Sequence, residues 1–523
     1  MGDHPDNRTP TDENATLLQA FEWNVPADGK HWKRLTAVLP SLKSIGITNM
    51  WIPPACKGSS SNGNGYDIYD LYDLGEFDQK DGVRTKWGDV KQLKEMCAKA
   101  NEVGVGVYFD AVLNHKAGAD NKEKCRAVEV DPNDRNKEVT EAYEIEAWLG
   151  FDFPGRGDKY SSQKYHWYHF TGTDYNSAND KKAIYKILGD GKHWSDSVDK
   201  EQGNADYMMY ADLDYAHDEV VQDVKDWGVW VVKELGLKGF RLDAVQHYSE
   251  RFTNEFIANI IEHLGENSVF LVGEFWVGDV HTLTAWLEKM HHKFSLFDAP
   301  LLYNFSRASN SERADLRKIF DDSLVAVEPY NAVTCVQNHD TQAGQAVATP
   351  VSSFFKPLAY ALILLRPNGY PCVFHGDLYG IQAGYSTDAE PPSCSGALPA
   401  LIKARSLYAY GDCDDYFSDD ANCIGWVRRG TWDRGDGGCA VVMSNAGSNQ
   451  KRMYVGEQWA GSVWTDVLGW ARYGDGEAEV TIGEDGFGEF QCGSCSVSVW
   501  VRRDAQGRDG FPVVFDTDIY AMA

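Results

Sequence analysis

The sequence predicts an α/β protein: a (β/α)8 TIM barrel with a small β-rich domain inserted after its third strand and an antiparallel β-sandwich at its C-terminal end. Three observations carry this. Eight short apolar runs alternate with eight helical patterns over the first 410 residues. The connection 115–216 is far longer than the others, and a structureless loop of that size is uncommon in a compact domain. Beyond residue 411, segments such as CIGWVRRG, CAVVMSNAG, KRMYVGEQW and CSVSVWVRR alternate with Gly- and Asp-containing turns, as antiparallel strands do. A chain of 523 residues is also too long for one ordinary core. The expected division is 1–114 and 217–410 for the two parts of the barrel, 115–216 for the insert and 411–523 for the C-terminal domain.

The expected strands are TLLQAFEW (16–23), ITNMWIP (47–53), GVGVYFDAV (104–112), GFRLDAV (239–245), SVFLVGEFW (268–276), KFSLFDAP (293–300), AVTCVQNHD (332–340) and YPCVFHGD (370–377). Each is short, apolar and followed by polar residues, as strands buried on both faces are. The expected helices are 29–45, 87–103, 217–236, 249–265, 280–292, 311–322, 353–366 and 398–410. In the third of these, Val221, Val224, Trp227, Val231, Val232 and Leu235 recur at helical spacing and Gly236 is placed to end the helix. The insert is rich in aromatics, Gly and charge, as in WLGFDFPGRGDKYSSQKYHWYHFTGTDY. The last stretch, DAQGRDGFPVVFDTDIYAMA, carries no assignable pattern.

Composition narrows the function. The formal net charge of −28 argues against nucleic acid and against anionic membrane surfaces, and favours a neutral or cationic ligand. No apolar run is long enough for a membrane span, and MGDHPDNRTPTDENA lacks the basic-then-apolar pattern of a signal peptide. The 11 scattered cysteines suit free thiols in a reducing compartment, so a cytoplasmic protein is expected, as a monomer. Cys492 and Cys495 in QCGSCS read as two thiols near a turn rather than half of a zinc site. The 17 tryptophans and 26 tyrosines fill cores, and sugar clefts use such rings as well.

In GFRLDAVQH, Arg241 and Asp243 share one face of a strand that both flanking patterns bury. A buried charged pair is unfavourable unless something requires it. Other polar residues gather at the same strand ends: Asp110, Asn114 and His115 after the third, His247 after the fourth, Glu274 on the fifth, His339 and Asp340 on the seventh. Chemistry sits at that face of such barrels. Two carboxyl groups from neighbouring strands are what glycoside hydrolysis requires. Asp243 could attack an anomeric carbon, with Arg241 keeping it ionised. Glu274, among Val272, Phe275 and Trp276, could hold a proton for the leaving oxygen. Asp340 could hydrogen-bond sugar hydroxyls as the ring flattens.

DAVLNH, GFRLDAVQH, GEFW and VQNHD, in this order, resemble the four conserved regions of the α-amylase family, glycoside hydrolase family 13. QAFEWNVP, GYDIYDLYDLGEF, FDFPGRG, HWYHFTGTD, DYMMYADLDY and KRMYVG further resemble the bacterial liquefying-type members and their fungal intracellular relatives, so the resemblance runs over residues 16–502. It implies Asp243 as nucleophile, Glu274 as acid/base and Asp340 as transition-state stabiliser. It implies substrate contacts from Arg241, His115, His339 and the aromatic platform Tyr66, with Trp23 and Asp110 supporting; Gln246, His247 and Trp276 fall beside the same subsites. The implied reaction is retaining endo-hydrolysis of α-1,4-glucosidic bonds in starch, glycogen and maltooligosaccharides. The implied cofactor is Ca²⁺, held by Asn114, Asp206, Asp212 and the backbone carbonyl of His247; oxygen ligands from separate segments suit that ion.

The chain also departs from the pattern. Positions that carry carboxylates for further cations in liquefying relatives are matched here by Thr171, Ser195 and Ala216, although Asp214 remains, so those cations are not expected. A lysine of many relatives is matched by Gln246, which should weaken contacts to the departing sugar. NHDTQAG has Ala343 where the animal enzymes' chloride-binding arginine falls, so no chloride dependence is expected. Two other functions use the same frame: an α-glucan transglycosylase, and a non-catalytic glucan-binding protein, which would be expected to lack part of the Asp243–Glu274–Asp340 set.

Overall fold

The computed structural model describes residues 14–311, 313–434, 438–473 and 476–522. Eight strands close into a parallel barrel: β1 (Leu17–Gln19), β2 (Asn49–Ile52), β3 (Gly106–Ala111), β4 (Gly239–Leu242), β5 (Phe270–Gly273), β6 (Ser295–Phe297), β7 (Ala332–Cys335) and β8 (Tyr370–Phe374), with β8 pairing back onto β1. All eight expected strands are present, each shorter than its apolar run. Their residues are buried on both faces, which is why the runs read as continuous rather than alternating.

Outside them lie α1 (His31–Ile45), α2 (Val90–Val103), α3 (Asp218–Leu235), α4 (Glu250–Leu264), α5 (Val280–Lys289), α6 (Ala299–Ser309), α7 (Leu324–Val327), α8 (Lys356–Leu365), α9 (His375–Tyr379) and α10 (Leu398–Tyr408). Helix α3 shows the local logic. Val220, Val224, Trp227, Val231, Val232 and Leu235 face the core, so Val220 takes the buried place expected for Val221. Each fully buried valine contributes roughly 1.5–3 kcal/mol. Gly236 ends the helix at φ 66, a conformation that a β-branched residue would adopt only under strain.

One helix is displaced from expectation. The segment expected to be helical at 311–322 holds only a short 3-10 turn, Leu316–Lys318, and residue 312 lies outside the described residues. The helix is α6, directly after β6. The Asp298 carboxylate accepts from Leu301 N at 3.0 Å and Pro300 sits in the first turn. The Asp-Ala-Pro that looked like the end of a strand is the cap of a helix.

Between β3 and α3 the chain forms one antiparallel sheet, from His115–Lys116 to Ala211–Leu213, with its longest strand at Asn121–Asp131. A second antiparallel sheet of six strands runs from Cys413–Tyr416 to Ser496–Arg502, and the antiparallel pair Asn449–Tyr454 with Phe487–Cys492 packs on it over a core that includes Met453, Phe490 and Trp500. The unassigned tail returns to the barrel: Phe511 meets Tyr408, Phe515 meets Tyr379, and Tyr520 lies under Arg34 of α1. All 11 cysteines are unpaired thiols; Cys495 is exposed and Cys492 is buried. Residues 1–13, on which most of the expectation of no export signal rests, lie outside the described residues. Among the described residues no helix is long and apolar enough to cross a membrane.

Candidate active site

Strand register places the charged residues. In the parallel pairing of β4 with β3, Arg241 stands opposite Asp110. The ladder continues past the assigned strand ends: Asp243 N donates to Ala111 O at 3.0 Å, Glu274 N to Leu242 O at 2.9 Å, and Val245 N to Glu274 O at 2.9 Å. Asp243 and Glu274 therefore leave adjacent strands at the same level of the rim. Gly273 permits this closeness, since a Cβ there would lie 2.6 Å from Phe294 and 3.1 Å from Val245.

Arg241 is the hub. Its Nη1 donates to Asp110 Oδ1 at 2.8 Å and to Asp243 Oδ1 at 2.5 Å, and its Nη2 to Glu274 Oε2 at 2.7 Å. The guanidinium lies 5.0 Å from the Trp51 ring centroid. The side chain is only 1% exposed, so without these partners its desolvation would be strongly unfavourable. The planar fork is what allows three carboxyl groups to share one cation.

One cation faces four carboxyl groups, so near neutrality not all four are ionised. Asp110 accepts from Arg241, from Trp51 Nε1 at 2.9 Å and from Tyr66 OH at 2.8 Å; burial pushes its carboxyl up to about 7, and these donors oppose the rise. Glu274 is raised above 4.5, first by burial and then by the charge of Asp243, while Arg241 opposes the rise. The shared proton is best placed there or on Asp340, because Asp110 has donors on both oxygens. The Asp340 carboxyl is also raised, by burial beneath the rim and by Glu274; its side chain keeps 32% exposure, so only the direction enters the argument. His339 is held neutral by burial. Its Nδ1 accepts from Gln19 Nε2 at 3.0 Å, so its Nε2–H is the donor to Asp340 Oδ2 at 3.2 Å. His115 is likewise neutral, pushed down to about 4 by burial, and its Nε2 donates to Tyr66 O at 2.8 Å.

Trp23, Tyr66 and His339 lie nearly parallel, with Tyr66 10° from His339 and 6° from Trp23. Trp23 and Tyr66 of this stack line a cavity of about 660 Å³ that Lys86, Met209, Tyr210 and Tyr385 also border. Trp276 stands on the β5 side of the rim, edge-on to Tyr303. Gln246 sits between barrel and insert: its carbonyl accepts from Asp199 N at 3.3 Å, and its buried Oε1 has no partner. Sequence reasoning missed Gln19, Trp51 and Gln342. Gln342 Oε1 accepts from Trp23 N at 3.0 Å and ties the platform to the turn that carries Asp340. The signal available was position: Gln19 and Trp51 end barrel strands on the inward face.

A second carboxylate group lies where insert and barrel meet. Asp206 and Asp212 are 3% and 1% exposed. Burial pushes Asp206 up to about 7 and Asp212 well above the usual range, and each raises the other or is raised by Asp214. Asn114 Nδ2 donates to Asp212 Oδ1 at 3.1 Å, leaving Asn114 Oδ1 buried and without a partner. His247 Nδ1 donates to the carbonyl of Ala205 at 2.6 Å, which brings the β4 end against the same segment. An orphaned amide oxygen beside two buried carboxylates is the donor set of a hard divalent cation. His169, His217 and Glu219 form another compact group. It does not suit a metal: His169 Nδ1 accepts from His166 N at 2.9 Å, so its Nε2 carries the proton given to Glu219 at 2.8 Å and has no lone pair to offer.

The family described as "Alpha amylase, catalytic domain" matches residues 19–393, and "Alpha-amylase C-terminal" matches residues 440–501. The chain belongs to the α-amylase family. It is 47% identical over 492 residues to the glucan 1,4-alpha-maltohexaosidase of Bacillus sp. (strain 707), covering 94% of this chain and 93% of that one. It is 41% identical over 498 residues to the cytoplasmic alpha-amylase of Escherichia coli (strain K12), covering 93% and 99%. The alpha-amylase of Geobacillus thermoleovorans, solved with acarbose, superposes with a TM-score of 0.62 at 18% identity over 95% of this chain and 99% of that one, a likeness of fold. Family membership makes the chain a glycoside hydrolase.

Proposed function

We propose that the chain is an α-amylase that cleaves internal α-1,4-glucosidic bonds of starch, glycogen and maltooligosaccharides with retention at the anomeric carbon. The observation that carries this reading is the Arg241 fork joining Asp243 and Glu274 on adjacent strand ends. Asp243, held by Arg241 Nη1 at 2.5 Å, attacks the anomeric carbon as Glu274 gives its proton to the leaving oxygen; the C–O bond breaks and a glycosyl ester forms. Water then enters, Glu274 takes its proton, and the ester bond to Asp243 is cleaved. Asp340 and the neutral His339 and His115 hydrogen-bond the sugar hydroxyls, and Tyr66 and Trp23 stack on the ring. Gln246, His247 and Trp276 border the leaving-group side.

Ca²⁺ would be held by Asn114 Oδ1, Asp206, Asp212 and the His247 carbonyl. When bound it neutralises two buried carboxylates and ties the insert to the barrel end that carries Asp243. We read the chain as divided at 115–216 and 411 into barrel, insert and C-terminal domain, a reading that the two antiparallel sheets support. A cytoplasmic location fits the free thiols and the cytoplasmic alpha-amylase of Escherichia coli, and we read the chain as a monomer.

The test is product analysis on starch and maltoheptaose over time, with NMR of the first products. Short α-anomeric oligosaccharides are expected. β-Anomers as first products would overturn the retaining mechanism, and oligosaccharides longer than maltoheptaose as main products would favour the transglycosylase. Binding without turnover would favour the glucan-binding protein.

A further inference from the structure

Glu22 is a buried carboxylate with no part in the bond-breaking steps. It lies just beyond β1, one residue before the platform ring of Trp23, and has no exposed surface. Its Oε2 accepts from Asn24 N at 2.7 Å and from Gln342 Nε2 at 3.2 Å, and its Oε1 from Gln382 N at 3.3 Å. These partners come from three segments: the loop after β1, the turn after β7 that carries Asp340, and the chain after α9. All three donate, and an ionised carboxylate has only acceptors to offer. Burial opposes that ionisation, while the three donors and the charge of Lys86 favour it.

Glu22 fixes which way the Gln342 amide faces. A carboxylate cannot donate, so Gln342 turns its Nε2 to Glu22 and leaves Oε1 for Trp23 N, 3.0 Å away. With Glu22 removed, the amide can turn over and set its NH2 against the Trp23 N–H, donor against donor. The carbonyl of Trp23 is held from the other side by Lys86 Nζ at 3.2 Å. Trp23 belongs to no strand or helix, so side chains supply the hydrogen bonds that a strand ladder supplies elsewhere. Gln342 N in turn donates to Asn338 O at 3.0 Å, and Asn338 Oδ1 accepts from Asp340 N at 2.9 Å. Glu22, Gln342 and Asn338 therefore join the Trp23 ring to the Asp340 turn.

We propose that Glu22 is a positioning residue for hydrolysis, holding the Trp23 ring and the Asp340 turn in fixed relation through the Gln342 amide. This rests on the reading of Trp23 and Asp340 as sugar-binding groups given above. The test is a double-mutant cycle on the full-length chain, with kcat and KM measured on maltoheptaose well below every variant's melting temperature. Glu22→Met keeps the bulk and removes both acceptor oxygens, and kcat/KM should fall by about 10- to 100-fold. Glu22→Gln still offers one oxygen to both Asn24 N and Gln342 Nε2, and should stay within about fivefold of the wild type. In a chain that already carries Trp23→Ala, Glu22→Met should lower kcat/KM by a much smaller factor, because the ring it positions is gone. A merely structural Glu22 would lower both backgrounds alike. Wild-type kcat/KM in Glu22→Met, a Glu22→Gln chain as impaired as Glu22→Met, or equal losses with and without the Trp23 ring would overturn the proposal. If Glu22→Met is not recovered folded, Gln342→Met takes its place in the cycle. Unequal losses there support the proposal, and equal losses or failure of both variants to fold overturn it. A wild type that binds maltoheptaose without turnover sinks the hydrolytic reading alone, and the cycle is then read in Kd by calorimetry. A wild type that neither binds nor cleaves it sinks both.

Discussion

The barrel rim and the seam of the insert both bury carboxylates, but they balance the charge by different means. At the rim one guanidinium is shared among Asp110, Asp243 and Glu274, and the excess charge is left to protons. At the seam Asp214 pairs with the Lys192 ammonium, while Asp206 and Asp212 face an orphaned amide oxygen. The rim must let a proton leave and return, so a fixed cation that neutralised every carboxylate would stop it. The seam has no such duty, and its charges can be fixed outright. The same burial that tunes chemistry at one site therefore serves cross-linking at the other.

The largest expected effect breaks the rim alone. Asp243→Asn should lower kcat on maltoheptaose by about 10⁴-fold or more, with binding measured by calorimetry retained and the melting temperature nearly unchanged. Turnover at the wild-type rate would remove Asp243 from its assigned role. Arg241→Met should act on stability as well. Leaving three buried carboxylates without their cation is expected to destabilise the chain by about 3–5 kcal/mol, read as a lower denaturant midpoint. A variant as stable as the wild type would show that the rim's carboxyl groups neutralise themselves by protonation.

Calcium removal probes the other side of the comparison. Chelation should lower the melting temperature, with a loss of about 3–4 kcal/mol if the ion is present at 100 to 1,000 times its Kd. The first effect should be on the contacts between insert and barrel. An unchanged melting temperature would mean that Asp206 and Asp212 share a proton instead of a metal.

The pH dependence separates the two sites further. The folded-state pKa of Glu274 is raised, so the folded chain holds a proton that the unfolded chain has released. Stability from this group is therefore present at low pH and declines as pH rises from about 4.5 through the folded value. Glu274→Gln stays neutral throughout, so its melting temperature should fall less steeply over that window than the wild type's. Hydrolysis should fade on the alkaline side for the same reason, since the acid has lost its proton. Parallel melting curves for the two proteins would place the shared proton on Asp340.

Much of this was legible in the sequence, and the reasons are local. All eight strands were readable because burial on both faces leaves unbroken apolar runs, and Arg241 with Asp243 stood out against one of them. Helix α6 was misplaced because Asp298 and Pro300, a cap and a first-turn proline, were absorbed into the preceding strand. The tail was unreadable because its apolar residues are spaced for a docking surface rather than for a helix or strand; only the fold supplies Tyr379, Tyr408 and Arg34 to meet them. Glu22 was invisible for a similar reason, since its partners Gln342 and Gln382 lie 320 and 360 residues on. Gln19 and Trp51 carry no motif; only the closure of the barrel turns them toward the rim.

The smallest expected effect lies between the two sites. Gln246 joins the seam through Asp199 and borders the rim, and its buried Oε1 has no partner within the chain. A buried acceptor without a donor is unfavourable by about 1–3 kcal/mol, and a sugar hydroxyl on the leaving-group side could supply that donor. Gln246→Lys replaces the acceptor with a charged donor. Products from maltoheptaose should shift in length by less than about tenfold in their ratios, since one hydrogen bond to an exposed sugar is worth roughly a kcal/mol. Removing the unpartnered acceptor should change stability by no more than about 1–3 kcal/mol. If Gln246→Lys instead changes the calcium-dependent melting temperature and leaves the products alone, Gln246 belongs to the seam and not to the cleft.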